Sequence, residues 1–393
     1  MQQLKSNVFF AGAIDWDRRL FDELIPLPDG TTYNSYVIKA SEKTALIDAV
    51  DPTKVEVLID NLVRLGVDKL DYIIANHGEQ DHSGAIGDVL VLYQDAKVVT
   101  NAKCRDLLMS HLHIEGDRFI VVDDGGTLSL GDKTLRFIFT PWVHWPETMS
   151  TYLIEDQILF TCDFFGSHLA SSELFVSDEA RVYESAKRYY AEIMMPFRKP
   201  IQSNLEKIKD LQIDMIAPSH GPVYDRPNFI LDAYKDWASD DVKNEAVIAY
   251  VSMHDSTRRM VDHLTDALAE RGVVVRRFNL TGVDIGKLAI ALVDAATLVL
   301  ASPTMLVGPH PHAAYAAILA NALRPKTRYA AIIGSYGWAG KMVDQLAGML
   351  PNLKAEMLEP VVVKGLPADD DFAAIENLAD KILQKHRDAG ITG

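Results

Sequence analysis

The chain has 393 residues, enough for two or three domains, and its 48% hydrophobic and 24% charged residues are typical of a soluble globular protein. A formal net charge of −16 argues against nucleic acid and anionic membranes as partners, and no apolar run reaches the ~18–20 residues of a membrane-spanning helix. The N-terminus does not resemble a signal peptide, and two cysteines are too few for a disulfide framework, so we expect a cytoplasmic protein.

Residues 1–243 are predicted to form the first domain, in which short strands alternate with helices. The first strands are TTYNSYVIKA and KTALIDAV, and apolar residues at helical spacing predict a helix over DPTKVEVLIDNLVRLGV. The further strands are predicted in LDYIIAN, AKVVTN, RFIVVDDGG, TLRFIFTPWVH, STYLIEDQILFTCD and IDMIAPSHG. Several of these strands end in a residue that can bind metal, which indicates a sandwich of sheets and helices whose strand ends share one edge.

Residues 244–393 are predicted to form a second domain with a more regular alternation. Its strands are predicted in AVIAYVSM, VVVRRFNL, ATLVLASPT, RYAAIIGSYGWAG and EPVVVKG, with helical segments between them. Strands that are apolar along nearly their whole length and are separated by helices indicate a doubly wound parallel sheet.

Four metal-binding side chains fall within six positions directly after the strand LDYIIAN. They are His77, Glu79, Asp81 and His82, and in an extended segment the side chains at 77, 79 and 81 would share one face. Three more candidates stand at later strand ends, namely His144, Asp163 and His220. We therefore expect the seven side chains to form one metal site.

The chemistry of this set favours a pair of hard metal ions. Nitrogen and oxygen ligands without thiolate suit iron, manganese or zinc rather than copper(I) or an iron–sulfur cluster. Seven ligands exceed the needs of one zinc, and a carboxylate can bridge two ions. A single histidine is more often surface or capping chemistry, and we expect His111, His113, His263 and His386 to be solvated.

Three loops of the second domain predict a ligand site at the carboxyl edge of its sheet. The first, SMHDST, places hydroxyls at a helix N-terminus, which suits a phosphate, although the same residues could serve only as a helix cap. Tyr336 and Trp338 in the third loop could flank a flat ring system. The candidate residues are Ser252, Met253, His254, Asp255, Ser256, Thr257, Ser302, Pro303, Thr304, Gly308, Ser335, Tyr336, Gly337 and Trp338.

The second domain resembles flavodoxin in these three loops, and the resemblance implies FMN. The dinucleotide fingerprint G-x-G-x-x-G is absent after the first strand, which weighs against resident NAD or FAD. His254 and Asp255 stand where the resemblance would lead us to expect small or amide residues.

The whole chain resembles the flavodiiron proteins, or A-type flavoproteins. The motif HGEQDH, with His144, Asp163 and His220 after it, is similar to the His-x-His-x-Asp-His motif of metallo-β-lactamases, except that Glu79 replaces the second histidine. A carboxylate there makes the site harder and better suited to iron than to zinc. GAIDWD, GTTYNSY, CDFFGSHLA and IMMPF extend the resemblance.

The resemblance implies two irons and a fold. His77, Glu79 and His144 would hold one iron, Asp81, His82 and His220 would hold the other, and Asp163 would bridge them. His82 is the least secure, because its counterpart swings away in some members of the family. The implied α/β fold is an N-terminal αββα metallo-β-lactamase-like sandwich followed by a flavodoxin-like doubly wound parallel sheet.

The implied activity is reduction of dioxygen to water, of nitric oxide to nitrous oxide, or both. A head-to-tail homodimer, or a dimer of dimers, would bring the FMN of one subunit to the irons of the other. Because no Cys-x-x-Cys pair exists for a rubredoxin centre, electrons would come from an external rubredoxin or a flavin- or F420-type reductant. His168, Tyr189 and Tyr190 are candidates to donate a proton or hydrogen bond to the substrate, although they could equally be packing residues.

Two alternative functions keep the same fold. In one, the first domain is a zinc hydrolase and the flavodoxin-like domain is accessory. In the other, the protein is an electron-transfer flavoprotein with an inactive metal site, against which the complete set of seven ligands argues. The preference between dioxygen and nitric oxide stays open, because the two reactions share their ligands.

Overall fold

The structure is a computed structural model that describes residues 2–338 and 340–391. Its contacts divide the chain into two compact units. The first comprises the residues up to Tyr190 together with Phe197–Ala238, and the second comprises Ala191–Pro196 together with the residues from Ser239 onward. The sequence placed a domain boundary between residues 243 and 244, and we retain that boundary as a proposal. No helix within the described residues is both long enough and apolar enough to span a bilayer.

Two sheets form the centre of the first unit. The first sheet contains, in spatial order, Gln3–Lys5, Val8–Phe10, Tyr36–Lys39, Thr44–Ile47, Tyr72–Ile74, Lys97–Thr100 and Phe119–Val121. The second sheet contains Thr127–Ser129, Thr134–Phe139, Met149–Leu153, Ile158–Cys162 and Met215–Pro218. Two short pairs lie outside these sheets, Ala13–Asp15 with Thr31–Tyr33 and Leu20–Phe21 with Ile25–Pro26.

Helices complete the first unit. The α-helices are Val55–Arg64, Gln80–Ser83, Ile86–Leu92, Ala102–His111, Glu179–Tyr189, Arg198–Ile208 and Pro227–Ala238. Single turns of other helix types occur at Pro52–Lys54 and Gly116–Arg118. Two further turns, Tyr190–Met194 and Met195–Phe197, fall mostly in the segment Ala191–Pro196, which belongs to the second unit. The helix Val55–Arg64 buries Leu58 and Leu62, one turn apart, against the first sheet, as its apolar spacing predicted.

Strands of the first sheet are buried on both faces because the sheet separates two apolar cores. Leu46 packs into the core shared with the helices, whereas its neighbour Ile47 packs into the core shared with the second sheet. Val98 and Val99 divide in the same way, since neighbouring strand residues point to opposite faces. This two-sided burial explains why these strands read as continuous apolar runs, and it fixes their register.

The second unit is a doubly wound parallel sheet with the spatial order of strands 2-1-3-4-5. Its strands in that order are Val274–Asn279, Lys243–Tyr250, Ala295–Met305, Tyr329–Tyr336 and the pair Glu356–Met357 and Val361–Lys364, with Gly308–Pro309 antiparallel to the third. The helices are Ser256–Glu270, Ile285–Leu292, Pro311–Leu323, Met342–Gly348 and Asp369–Asp388. This is the flavodoxin-like order, so the predicted fold class is confirmed for both units.

His386 corrects an expectation, because it is fully buried rather than solvated. On the helix Asp369–Asp388 it occupies a core position, where its Nδ1 and Nε2 lie 2.7 Å from Asn244 Oδ1 and Thr297 Oγ1. These two polar neighbours satisfy both ring nitrogens of a neutral imidazole. Both are distant from His386 in sequence, so the helical pattern around His386 does not predict its burial. His111 and His113 are exposed as expected, and His263 is half-buried.

Acid should therefore destabilise the second unit through His386. Burial lowers the pKa of His386 to about 4, so between pH 6.5 and pH 4 the unfolded chain binds a proton that the folded chain does not. Stability contributed by the neutral imidazole is complete above pH 6.5 and decreases as the pH falls. We expect this group to lower the free energy of unfolding by roughly 2 kcal/mol between pH 7 and pH 5.

The measurement is the free energy of unfolding in urea at pH 7 and at pH 5. Hydrogen exchange in the helix Asp369–Asp388 at the same pH values reports the stability around His386. The variant H386Q should lose less stability than the natural chain, and H113N, at an exposed histidine, should behave like the natural chain. Equal pH dependence in H386Q and the natural chain would contradict the assignment.

Candidate metal and flavin sites

The seven candidate metal ligands stand at the carboxyl ends of strands in the first unit. His77 and Glu79 follow the strand Tyr72–Ile74, and Asp81 and His82 lie on the short helix Gln80–Ser83. The others follow three strands that run in the same direction in the second sheet, so that His144, Asp163 and His220 emerge at one edge.

The structure brings all seven side chains together as two adjoining groups. In the first, one potential ligand atom from each of His77, Glu79, His144 and Asp163 lies within 4.8 Å of the others. In the second, Asp81, His82 and His220 meet the same limit. The expectation that 77, 79 and 81 share a face of an extended segment was wrong, because the helix at Gln80 turns Asp81 toward the second group.

Asp163 connects the two groups through its two carboxylate oxygens. Its Oδ2 lies 3.4 Å from His77 Nε2 and 3.5 Å from His144 Nε2. Its Oδ1 lies 2.9 Å from His82 Nε2 and 3.5 Å from His220 Nε2. One carboxylate with an oxygen toward each group has the arrangement of a bridging ligand in a two-metal site.

Glu79 and Asp81 play corresponding parts within their groups. Glu79 Oε2 lies 3.2 Å from His77 Nε2 and 3.1 Å from His144 Nε2. Asp81 Oδ1 lies 3.3 Å from His82 Nε2, and its Oδ2 lies 3.1 Å from His220 Nε2. Each group therefore combines two imidazoles with one carboxylate of its own, in addition to Asp163.

Glu79 and Asp163 keep their negative charge although burial opposes it. Burial alone would raise the pKa of Glu79, but hydrogen bonds to His144 and His77 outweigh it and lower that pKa. Burial likewise opposes ionisation of Asp163, whereas its contacts with His82, His77 and His144 hold the pKa well below the usual range. Anions in a buried site need cations beside them.

Unsatisfied polar atoms indicate that metal ions fit this cluster. Both carboxylate oxygens of Asp81 and the Oδ2 of Asp163 are buried and accept no hydrogen bond from the described residues. Buried oxygens without a hydrogen bond are costly, and a metal ion between these oxygens and the imidazole nitrogens that face them would satisfy both. Cys162 forms a third group of potential ligands with His82 and Asp163, and burial raises the pKa of its thiol well above the ordinary value, which disfavours a thiolate without a metal ion beside it.

Two ligand imidazoles are held in place by hydrogen bonds on the side away from the cluster. His77 Nδ1 donates to Glu147 Oε1 at 2.6 Å, and His220 Nδ1 donates to the main-chain oxygen of Thr32 at 2.6 Å. Both bonds fix the tautomer that leaves Nε2 free for metal. His82 differs, because its buried Nδ1 has no partner among the described residues.

Glu147 is a site residue that the sequence reading missed. It is fully buried, it also accepts a 3.2 Å bond from the backbone N–H of Gly78, and it stands three residues after His144 in HWPE. A carboxylate so close in sequence to a candidate ligand was the available signal. Thr31 and Thr32, in the quoted motif GTTYNSY, were likewise not given a role.

The three aromatic candidates separate in the structure. Tyr189 donates its hydroxyl to Asp163 Oδ1 at 2.6 Å, and His168 has its Nδ1 2.8 Å from Thr31 Oγ1 with a buried Nε2 that has no partner among the described residues. The ring of His168 lies 4.7 Å from that of His220. Tyr190 instead donates to the main-chain oxygen of Trp237 at 3.1 Å, and it packs among Tyr234 and Trp237.

A cavity of about 360 Å³ in the second unit gathers most of the candidate flavin residues. It lies where the carboxyl ends of the parallel strands meet, as sheets of this order place their ligands. Its lining includes Ser252, Met253, His254, Ser256, Thr257, Pro303, Thr304, Ser335, Tyr336 and Gly337. Gly365 and Leu366 also line it, after the strand Val361–Lys364.

Four candidate flavin residues do not line this cavity. Asp255 turns its side chain to Arg258, and Ser302 bonds to the backbone of Pro303 and His310. Gly308 lies in the short strand Gly308–Pro309, and Trp338 is 79% exposed. Gly365 and Leu366 were not predicted, because they follow the strand in EPVVVKG, whose loop is not one of the three loops that the sequence indicates.

The first loop of this cavity fits a phosphate. The helix Ser256–Glu270 begins there, and the backbone N–H groups of His254, Asp255 and Thr257 have no partner within the described residues. Unpaired N–H groups at a helix N-terminus attract anions. The open space at Gly337 and Gly365, where an added Cβ would meet no atom within 4 Å, leaves room for a flat ring.

Known proteins resemble the chain in sequence and in fold. The ODP family beta lactamase model matches residues 31–221. A Moorella thermoacetica protein named nitric oxide reductase is 35% identical over 394 residues, 98% of each chain, and an Escherichia coli anaerobic nitric oxide reductase flavorubredoxin is 34% identical over 378 residues, 93% of this chain and 78% of that one. The structure of rubredoxin oxygen:oxidoreductase from Desulfovibrio gigas matches with a TM-score of 0.94 at 29% identity, covering 98% of each chain. The flavodiiron protein of Giardia intestinalis matches with a TM-score of 0.92 at 27% identity, covering 98% of this chain and 96% of that one.

The chain belongs to the flavodiiron protein family. This confirms the resemblance drawn from HGEQDH and the motifs around it. As a flavodiiron protein the chain is an oxidoreductase, and the family implies a flavin and a diiron centre as its cofactors.

Removing the charge of Glu147 should loosen metal in the first group. We expect E147Q to lower the metal affinity ~10–100-fold, because partners that orient a ligand histidine typically have effects of this size. The measurement is the rate of iron release to a chelator together with iron per chain. E56Q, which removes a charge from an exposed helix position, is the control, and unchanged iron retention in E147Q would contradict the role.

Proposed function

We propose that this flavodiiron protein reduces dioxygen to water, nitric oxide to nitrous oxide, or both, with electrons that an external donor supplies through FMN. The position of Asp163 carries the proposal, because its two oxygens face two groups of buried ligand atoms. The names of similar proteins support it, since these are a nitric oxide reductase, a flavorubredoxin and a rubredoxin oxygen:oxidoreductase.

The ligand assignment follows the two groups. We assign His77, Glu79 and His144 to one iron, Asp81, His82 and His220 to the other, and Asp163 to both. Two bound irons would supply the site at which the gas is bound and reduced, and FMN would pass the electrons to them. Glu79 favours iron over zinc, because a carboxylate oxygen is a harder ligand than imidazole nitrogen.

Protons must reach the same place as the electrons. One dioxygen needs four electrons and four protons to give two waters, and two nitric oxides need two of each to give nitrous oxide and one water. We assign His168 and Tyr189 to hydrogen bonding at the substrate, since both are buried beside the cluster and His168 has a free Nε2. Phe21 packs on the ring of His168, with centroids 5.4 Å apart, and helps to exclude water.

FMN is assigned to the cavity of the second unit. Its phosphate would bind the loop from Ser252 to Thr257, and its ring would lie near Tyr336 and the glycines Gly337 and Gly365. Trp338 is a further candidate to cover the ring, because its large apolar side chain is exposed beside the cavity-lining Gly337.

The remaining assignments rest on the family. We propose a head-to-tail homodimer or a dimer of dimers, a cytoplasmic location, and an external rubredoxin or a flavin- or F420-type reductant as donor. The rubredoxin in the names of two similar proteins supports that donor. Both cysteines of this chain are buried and free, as expected in a reducing compartment.

Composition and turnover together test the proposed function. Protein expressed with ample iron should contain two irons and one FMN per chain, and after reduction it should consume dioxygen, nitric oxide or both. A fast artificial donor separates the two rates from the identity of the natural donor. Two zinc ions without iron, or iron and FMN without gas consumption, would contradict the proposal.

Substitution of His168 tests its assigned role. Asparagine places an amide near Nδ1 and can keep the contact with Thr31, but it lacks the group at Nε2. We expect H168N to slow turnover by at least ~100-fold, in the range of lost acid–base groups, with iron and FMN unchanged. H168Q, whose longer amide reaches toward the Nε2 position, should retain more activity. Loss of iron in parallel with activity would show that His168 is structural.

A further inference from the structure

An acidic residue occupies the loop that we assign to the phosphate of FMN. Asp255 is the residue before the helix Ser256–Glu270, with φ 67° and ψ −18° in the left-handed region. Aspartate and asparagine adopt this conformation more readily than other non-glycine residues, so the backbone explains why Asp255 is tolerated. It does not explain the charge.

The charge of Asp255 opposes the function of the loop. A helix N-terminus attracts anions, so the carboxylate of Asp255 could compete there with a bound phosphate, although its side chain makes no cap hydrogen bond in the structure. A carboxylate beside the loop would repel a phosphate bound there, and FMN carries about two negative charges on its phosphate. The loop therefore needs a compensating cation if it is to hold the phosphate.

Arg258 is placed to compensate this charge. Its Nε donates to Asp255 Oδ1 at 2.9 Å, one helical turn further along, and its backbone N–H donates to Ser252 Oγ at 3.1 Å. The same residue thus holds the side chain of Asp255 and ties the loop to the helix. The Arg258 guanidinium lowers the pKa of Asp255, with a smaller effect from Arg259, so Asp255 stays ionised and paired.

The ion pair also turns the carboxylate out of the cavity. Ser252, Met253, His254, Ser256 and Thr257 all line the 360 Å³ cavity, whereas Asp255 between them does not. The side chain of Asp255 is exposed and paired with Arg258. The backbone N–H groups of the loop then remain directed to a ligand without a carboxylate among them.

We propose that the Asp255–Arg258 ion pair makes the loop selective for a flavin that carries a phosphate. Arg258 cancels the charge of Asp255, so that the loop binds the phosphate of FMN. This inference rests on the proposed function. The ion pair makes FMN affinity sensitive to salt and to substitution of Asp255 or Arg258, whereas affinity for the isoalloxazine ring does not depend on the pair. An exposed ion pair contributes little to folding, so variants of it should fold.

The experiment is titration of the apoprotein with FMN and with riboflavin, which has the same ring without the phosphate. Flavin fluorescence quenching gives each Kd for the natural chain, D255N, R258Q and the double variant. D255N keeps the shape of the side chain and its tolerance of the left-handed conformation. K381Q is the charge-matched control, because Lys381 is exposed on the helix Asp369–Asp388 and does not line the cavity.

We expect the effect of substituting Arg258 to depend on whether residue 255 is charged. R258Q should weaken FMN binding about 10-fold in the natural background but at most about 3-fold in D255N, as expected for loss of a screening charge near an anion. D255N alone should bind FMN about 3-fold more tightly. These differences should shrink in 0.5 M salt, which shortens the range of the charges to ~4 Å, and K381Q should match the natural chain.

Three results would overturn the inference. Equal loss from R258Q in both backgrounds would mean that Arg258 acts on the phosphate independently of Asp255. A matching change in riboflavin affinity would mean that the pair acts through the fold of the loop. If FMN affinity is the same in all variants, the ion pair has no role in FMN binding, but the proposed function is unaffected. If the natural chain does not bind FMN, the proposed function itself is contradicted.

Discussion

The proposed metal site depends on one buried carboxylate that lies between two groups of candidate ligands. Asp163 stands directly after a central strand, at the edge where the parallel strands that carry His144 and His220 also end. Cys162 before it has φ 51°, a left-handed conformation that is rare for a residue with a side chain and turns the chain sharply there. The position of Asp163 is therefore set by the sheet, and the two groups meet because the sheet brings their strands to one edge.

Charge explains why this arrangement calls for metal. Carboxylates within a buried cluster would be costly without cations, and two of the histidines around them are fixed by hydrogen bonds that they donate to Glu147 and to the Thr32 backbone. The fold thus holds the ligand atoms in place before an ion arrives. The exception is His82, whose Nδ1 has no partner within the described residues, and it is also the ligand that the family resemblance marked as least secure.

The sequence predicted this fold well where its pattern is local. Apolar strands, helical spacing and strand-end ligands indicated both units, and the departure at Glu79 separated the family from the zinc hydrolases. Features that depend on tertiary contact were not predictable in the same way. Asp81 was expected on an extended segment, but a short helix carries it, and His386 was expected in solvent, but its polar partners Asn244 and Thr297 are distant in sequence. Glu147 is a partner of a ligand rather than a ligand, so a search for metal-binding spacing did not find it.

The two units supply complementary parts of one proposed activity, and the account stands on the diiron assignment. The most direct measurement is X-ray absorption at the iron edge, on protein expressed with ample iron. We predict two irons per chain with nitrogen and oxygen ligands and a metal–metal distance of ~3.5–4 Å, as in other two-metal sites. Zinc in place of iron, or iron without a second metal at that distance, would contradict it.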